Sequence, residues 1–107
     1  MSEDILKSID EQVKSHAVVL YMKGDKQFPQ CGFSQQVVQI LKLLEVDFLA
    51  VNVLADEFVR QGIKEYADWP TIPQLYIQGE FVGGCDIIKE MHASGDLQAM
   101  LNGVLAK

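Results

Sequence analysis

Cysteine is scarce in this chain: Cys31 and Cys85 are the only two among 107 residues. That is too few for a disulfide scaffold and fits a reducing compartment. Long apolar runs are missing too. The longest, such as Ala17 to Met22, fall far short of the roughly 20 residues that a membrane-spanning helix needs. Positive charge is sparse, with nine Lys and Arg against fifteen Asp and Glu and a net charge of −6. That balance argues against a broad phosphate-binding surface and hence against nucleic acid. The N-terminus Met1-Ser2-Glu3-Asp4 is acidic, with neither a basic secretory n-region nor an Arg-rich transit segment. The expectation is a cytoplasmic protein, or an organellar one whose targeting segment has been removed. Internal repeats, low-complexity stretches and linkers are also absent, so residues 1–107 are expected to form a single domain. There is no Walker-type loop, nucleophile elbow or zinc-ligand spacing. His16 and His92 lie far apart and read as helix-end surface residues.

What is present is an ordinary globular balance, 49% hydrophobic and 22% charged. Ile5, Ile9 and Val13 recur every four residues, which predicts an amphipathic helix from Glu3 to about Ser15 with Ser2 as its N-cap. Ala17 to Met22 is a short apolar run rich in β-branched residues, a buried strand. Lys23 to Gln30, with Gly24 and Pro29, is a loop that leads into Cys31. Val37, Ile40, Leu41 and Leu44 keep helical spacing from Gly32 to about Glu45. Phe48 to Val53 is the next strand, and Asp56 caps a helix through about Tyr66. Pro70 and Pro73 interrupt any helix. Leu75-Tyr76-Ile77, Gly79 and Phe81-Val82 form a hairpin that Gly83-Gly84 ends. Asp86 is expected to N-cap a short helix with Ile87, Ile88 and Met91. Leu97, Met100, Leu101, Val104 and Leu105 mark a closing helix. The strand–helix–strand half requires a right-handed parallel crossover, and the hairpin must be antiparallel. The expected result is an α/β thioredoxin fold: a mixed four-stranded sheet flanked by helices, with an extra N-terminal helix.

Three segments carry the chemistry. In Cys31-Gly32-Phe33-Ser34 a serine stands where the second cysteine of a Cys-x-x-Cys pair would be, so this segment cannot close its own disulfide. Cys31 opens a helix, where unpaired amides and the positive end of the dipole favour a thiolate, and Lys23 could add charge. The competing reading, an inert buried cysteine, fits poorly with the polar neighbours Gln30, Ser34 and Gln35. Ile72-Pro73 enters a strand. About 5–6% of X-Pro bonds in folded proteins are cis, so frequency assigns trans, whereas a cis bond would turn the Ile72 backbone outward to pair with an extended peptide. Trp69 to Pro73 also reads simply as a stiff turn capped by a core tryptophan. Gly83-Gly84-Cys85-Asp86 reads either as a hairpin exit with a helix cap or as a carboxylate site at a helix N-terminus.

Together, Met22-Lys23-Gly24, Phe28 to Ser34, Trp69 to Gln74 and Gly83 to Asp86 resemble the monothiol glutaredoxins of the CGFS type, in their short single-domain form. The resemblance covers essentially the whole chain, in order and spacing. It implies a glutathione site beside Cys31. Lys23 and Arg60 would hold the glycine carboxylate. The Ile72 backbone, with Pro73 cis, would pair with the cysteinyl part, Cys85 and Asp86 would hold the γ-glutamyl end, and Thr71 and Phe33 would line the groove. It also implies a [2Fe–2S] cluster. Such clusters take four ligands, usually thiolates, here Cys31 and one glutathione from each chain of a homodimer. The function implied is cluster storage and transfer to apo iron–sulfur proteins, with a BolA-type protein as a further partner. The alternative is a glutathione-dependent thiol oxidoreductase that removes glutathione from proteins through Cys31 alone.

Overall fold

Val18–Met22, strand β1, is buried at every position in the computed structural model, which describes residues 3–105. Val18, Leu20 and Met22 enter one core, while Val19 and Tyr21 enter another. A strand that is apolar on both faces must be covered on both. β1 pairs in parallel with β2 (Leu49–Asn52), Val19 opposite Leu49, and antiparallel with β3 (Gln74–Ile77), Tyr21 opposite Gln74. β4 (Glu80–Gly83) pairs antiparallel with β3, giving the sheet order β2-β1-β3-β4. Helices α1 (Glu3–Ser15) and α3 (Glu57–Ala67) cover one face. Helices α2 (Gly32–Leu43), α4 (Cys85–Ser94) and α5 (Asp96–Leu105) cover the other. The thioredoxin-type mixed sheet and the N-terminal helix are therefore as the sequence leads one to expect. Ser2, expected to cap α1, lies outside the described residues.

Helices α2 and α3 end close to where the sequence leads one to expect, through backbone geometry that glycine usually supplies. Helix α2 stops at Leu43 because Glu45 adopts a left-handed conformation (φ 57°). Its N–H donates to Lys42 O, and that of Val46 donates to Leu41 O at 3.1 Å. Leu41 and Val46, both buried in one core, supply the apolar contact that accompanies this closure. Asp68 (φ 50°) closes α3 in the same way, with Trp69 N–H donating to Lys64 O at 3.0 Å. Asp56 caps α3 as expected, its carboxylate accepting from the amides of Phe58 and Val59. Asp86 does not cap α4. Gly84 holds the cap position, and Asp86 falls in the first turn, where a negative charge still favours the helix dipole.

Helix α1 reaches α3 across Gly62. A Cβ there would lie 2.6 Å from Ile5 Cγ2 and 3.1 Å from Ile9 Cδ1. Phenols reinforce the contact from the core: Tyr66 OH donates to Asp10 Oδ1 at 2.7 Å, and Tyr21 OH donates to Gln12 Oε1. Gly62→Ala should therefore lower stability by up to about 2 kcal/mol, because overpacking costs about 1–3 kcal/mol and alanine's helix preference returns about 1. Gly103→Ala on α5, where an added Cβ meets nothing within 4 Å, should raise stability by up to about 1 kcal/mol. Urea unfolding midpoints check both, and a stabilised Gly62→Ala would contradict this packing.

Candidate functional site

The loop after β1 delivers Cys31 to a defined place. Gly24 (φ 91°) turns the chain, and a Cβ there would sit 2.5 Å from Phe28 O. The Asp25 carboxylate accepts from the amides of Gln27 and Phe28, and Gln30 N–H donates to Lys23 O at 2.8 Å. Asn52 at the end of β2 accepts from Gly24 N–H at 3.0 Å, so the loop is tied to the sheet on both sides. Cys31 then stands in extended conformation as the N-cap of α2. Ser34 is fully buried, and its hydroxyl accepts from Lys23 N–H at 3.1 Å. The residue that replaces a second cysteine thus fastens the first turn of α2 to the end of β1.

This arrangement separates the two thiols chemically. The Cys31 pKa is lowered, chiefly by the Ser34 amide, with the Phe33 amide, the Lys23 charge and the Ser34 hydroxyl adding to it against desolvation. The helix-end amides thus act on the sulfur as expected, and they outweigh Lys23. Cys85 goes the other way: burial raises its pKa, and Asp86 and Cys31 raise it further against the Lys89 charge. Its Sγ–H donates to Gln36 Oε1 at 3.7 Å.

Both cysteines line one cleft of about 440 Å³. Lys23, Phe33, Thr71, Ile72, Pro73 and Asp86 line it with them, so all but one of the expected site residues converge there. The Ile72–Pro73 bond is cis. Arg60 is the exception. It does not line the cleft, and its guanidinium lies 3.8 Å from Glu57. Lys64, one turn further along α3, lines it instead, as does Trp69, which follows the closure at Asp68. The (i, i+4) spacing of Arg60 and Lys64 was the signal in the sequence that both share a helix face. Gly84 serves close approach within the chain: a Cβ there would meet Trp69 Nε1 at 3.3 Å and Pro73 O at 3.4 Å.

Alkylation follows the thiolate fraction, so Cys31 should react with iodoacetamide at a pH midpoint below the ordinary thiol range, and Cys85 only above it. The sign for stability follows as well. A depressed folded-state pKa contributes stability that is present above the unfolded thiol's value and is lost as pH falls through the folded one. Mass-spectrometric rates for each cysteine across pH check the order, and a lower midpoint at Cys85 would contradict it.

Comparison with known proteins bears on these features together. The glutaredoxin family model matches residues 18–82, more than half of the chain. Monothiol glutaredoxin-S7, chloroplastic, of Oryza sativa subsp. japonica is 56% identical over 101 residues, covering 94% of this chain and 60% of the rice protein. An uncharacterized monothiol glutaredoxin ycf64-like protein of Synechocystis sp. is 53% identical over 106 residues, 99% of each chain. The solution structure of reduced poplar apo GrxS14 has a TM-score of 0.82 at 57% identity, covering 94% of this chain and 93% of that one. Several relatives are named chloroplastic or mitochondrial, which gives the cytoplasmic expectation no support. Among the described residues no helix is long and apolar enough to cross a membrane. With a lone thiol at the head of α2 and a serine in place of its partner, this chain belongs to the glutaredoxin family, among its monothiol members.

Proposed function

We propose that the chain binds glutathione in this cleft and that two copies carry a [2Fe–2S] cluster between them, for storage and transfer to apo iron–sulfur proteins. One observation carries the reading. A single thiol held toward its thiolate opens onto a cleft that also presents cationic side chains, a cis-proline segment and the N-terminus of α4. Glutathione has a thiol and two carboxylates, and each meets a suitable group. Lys23 takes the glycine carboxylate, with Lys64 lining the same cleft and Arg60 adding its charge from one turn away. The Ile72 backbone takes the cysteinyl part, presented by cis Pro73. The first-turn amides of Cys85 and Asp86, with the Asp86 side chain, take the γ-glutamyl end. Phe33 and Thr71 form the walls.

The donor set fits a shared cluster. Among the described residues no group of three or more His, Cys, Asp or Glu side chains is placed to hold a metal ion. Cys85, buried and hydrogen-bonded to Gln36, is held as a neutral thiol and belongs to the wall. Four ligands are then reached with Cys31 and one glutathione from each of two chains. A BolA-type protein is an alternative partner to the second copy. Two exchangeable ligands make the cargo easy to release.

A second reading rests on the same lowered Cys31 pKa. The thiolate attacks the glutathione sulfur of a glutathionylated protein and expels the protein thiolate. A second glutathione thiolate then attacks, releasing glutathione disulfide and restoring Cys31.

Anaerobic reconstitution separates the readings. With glutathione, iron and sulfide the wild-type chain and Cys85→Ser should develop visible cluster absorption, and Cys31→Ser should stay colourless. Without glutathione the wild type should stay colourless as well. A chromophore that survives in Cys31→Ser, or that forms with no small thiol present, would overturn the cluster assignment.

A further inference from the structure

Gln74 is fully buried and polar at the start of β3, directly behind the cleft. Its backbone is fixed opposite Tyr21 in the central ladder. Its side-chain amide is used almost to capacity. Nε2 donates to Trp69 O at 3.2 Å and to Thr71 O at 3.2 Å, and Oε1 accepts from Tyr76 OH at 3.0 Å. Tyr76 is itself buried, its ring held by Tyr21 at 5.8 Å, Tyr66 at 6.0 Å and Phe81 at 5.5 Å between centroids. The orientation of the amide is therefore imposed from within the core.

Thr71 O and the Ile72 N–H belong to one peptide unit, which is trans, since among the described residues the only cis bond is the next one, Ile72–Pro73. In a planar trans peptide the carbonyl and the N–H point in opposite directions. A donor that pulls Thr71 O toward the core thereby turns the Ile72 N–H away from it. Both residues line the cleft, and among the described residues no hydrogen bond to the Ile72 amide is found.

We infer that Gln74, oriented by Tyr76, is a positioning residue that aims the Ile72 N–H into the cleft to pair with the backbone of a bound thiol peptide. Glutamine suits this position because it provides two donors and one acceptor on a planar group. A glutamate would lack both donors and bring a buried charge, and an apolar residue would leave both carbonyls unpaired. Gln74 does not touch the ligand in this scheme. It acts through the peptide plane it holds.

The inference rests on the glutathione reading for its ligand, and the test reads the two separately. The full-length chain, its Gln74→Met variant and its Tyr76→Phe variant are compared by amide NMR, first without ligand and then with glutathione. In Gln74→Met the ligand-free Ile72 N–H residual dipolar coupling should change while couplings in β1 and β3 stay as in the wild type. Glutathione affinity should fall roughly two- to tenfold, the range of one hydrogen bond. The Ile72 amide response should shrink, and the responses of Cys85 and Asp86 should persist. Tyr76→Phe, which keeps the ring and its packing, should shift the same two Ile72 readouts in the same direction by a smaller amount, and it decides the matter if Gln74→Met does not fold. A purely structural role would lower the unfolding midpoint and leave the Ile72 coupling and response as in the wild type, which would overturn the inference. Absence of glutathione binding to the wild type would instead defeat the proposed function, and the ligand-free coupling would still decide the role of Gln74.

Discussion

The hydrogen bond from Lys23 N–H to the buried Ser34 hydroxyl joins the end of β1 to the first turn of α2. The chemistry of the cleft depends on that joint. It places Cys31 as the helix cap, so that the amides of Phe33 and Ser34 act on its sulfur, and it keeps the Lys23 charge close by. Together the amides and the charge outweigh the desolvation that opposes them, and the Cys31 pKa is lowered. A cysteine in place of Ser34 would offer a second thiol. The serine offers a hydroxyl that is already committed, which leaves Cys31 to find its partners outside the segment.

A second set of contacts holds the opposite wall. The segment from Trp69 to Pro73 follows the left-handed turn at Asp68 and is backed by Gln74. Trp69 packs on Phe81 with centroids 5.5 Å apart, and Gly84 lets the entry to α4 come close beneath the indole. The aromatic cluster behind this wall extends through Tyr66 to Asp10 on the N-terminal helix. The added helix thus braces α3 and, through Tyr76 and Tyr66, the floor of the cleft.

Much of this was legible in the sequence because the signals were local or strictly periodic. The run Val18 to Met22 alternates between two cores, as a doubly covered strand must, and Asp56 is a cap whose carboxylate reaches the next amides. The closures at Glu45 and Asp68 were not legible. Neither is glycine, and each depends on carbonyls one turn back and, at Val46, on the apolar contact with Leu41. Asp86 was misplaced by two residues because its residue type suits both a cap and a first turn, and only the path of Gly83-Gly84 settles which. The cleft itself was legible through its motifs. Lys64 was missed because its contribution comes from where α3 lies against the sheet, and Gln74 because a buried amide has no sequence signature apart from the carbonyls that it meets.

In the proposed cluster site, one thiol per chain is completed by thiols from outside it. Native mass spectrometry of the anaerobically reconstituted, coloured protein tests that claim most directly. The predicted mass is that of two chains, two irons, two sulfides and two glutathiones, falling to the bare single chain when the cluster is removed. A coloured species containing iron and sulfide on one chain, or on two chains with no glutathione, would contradict it.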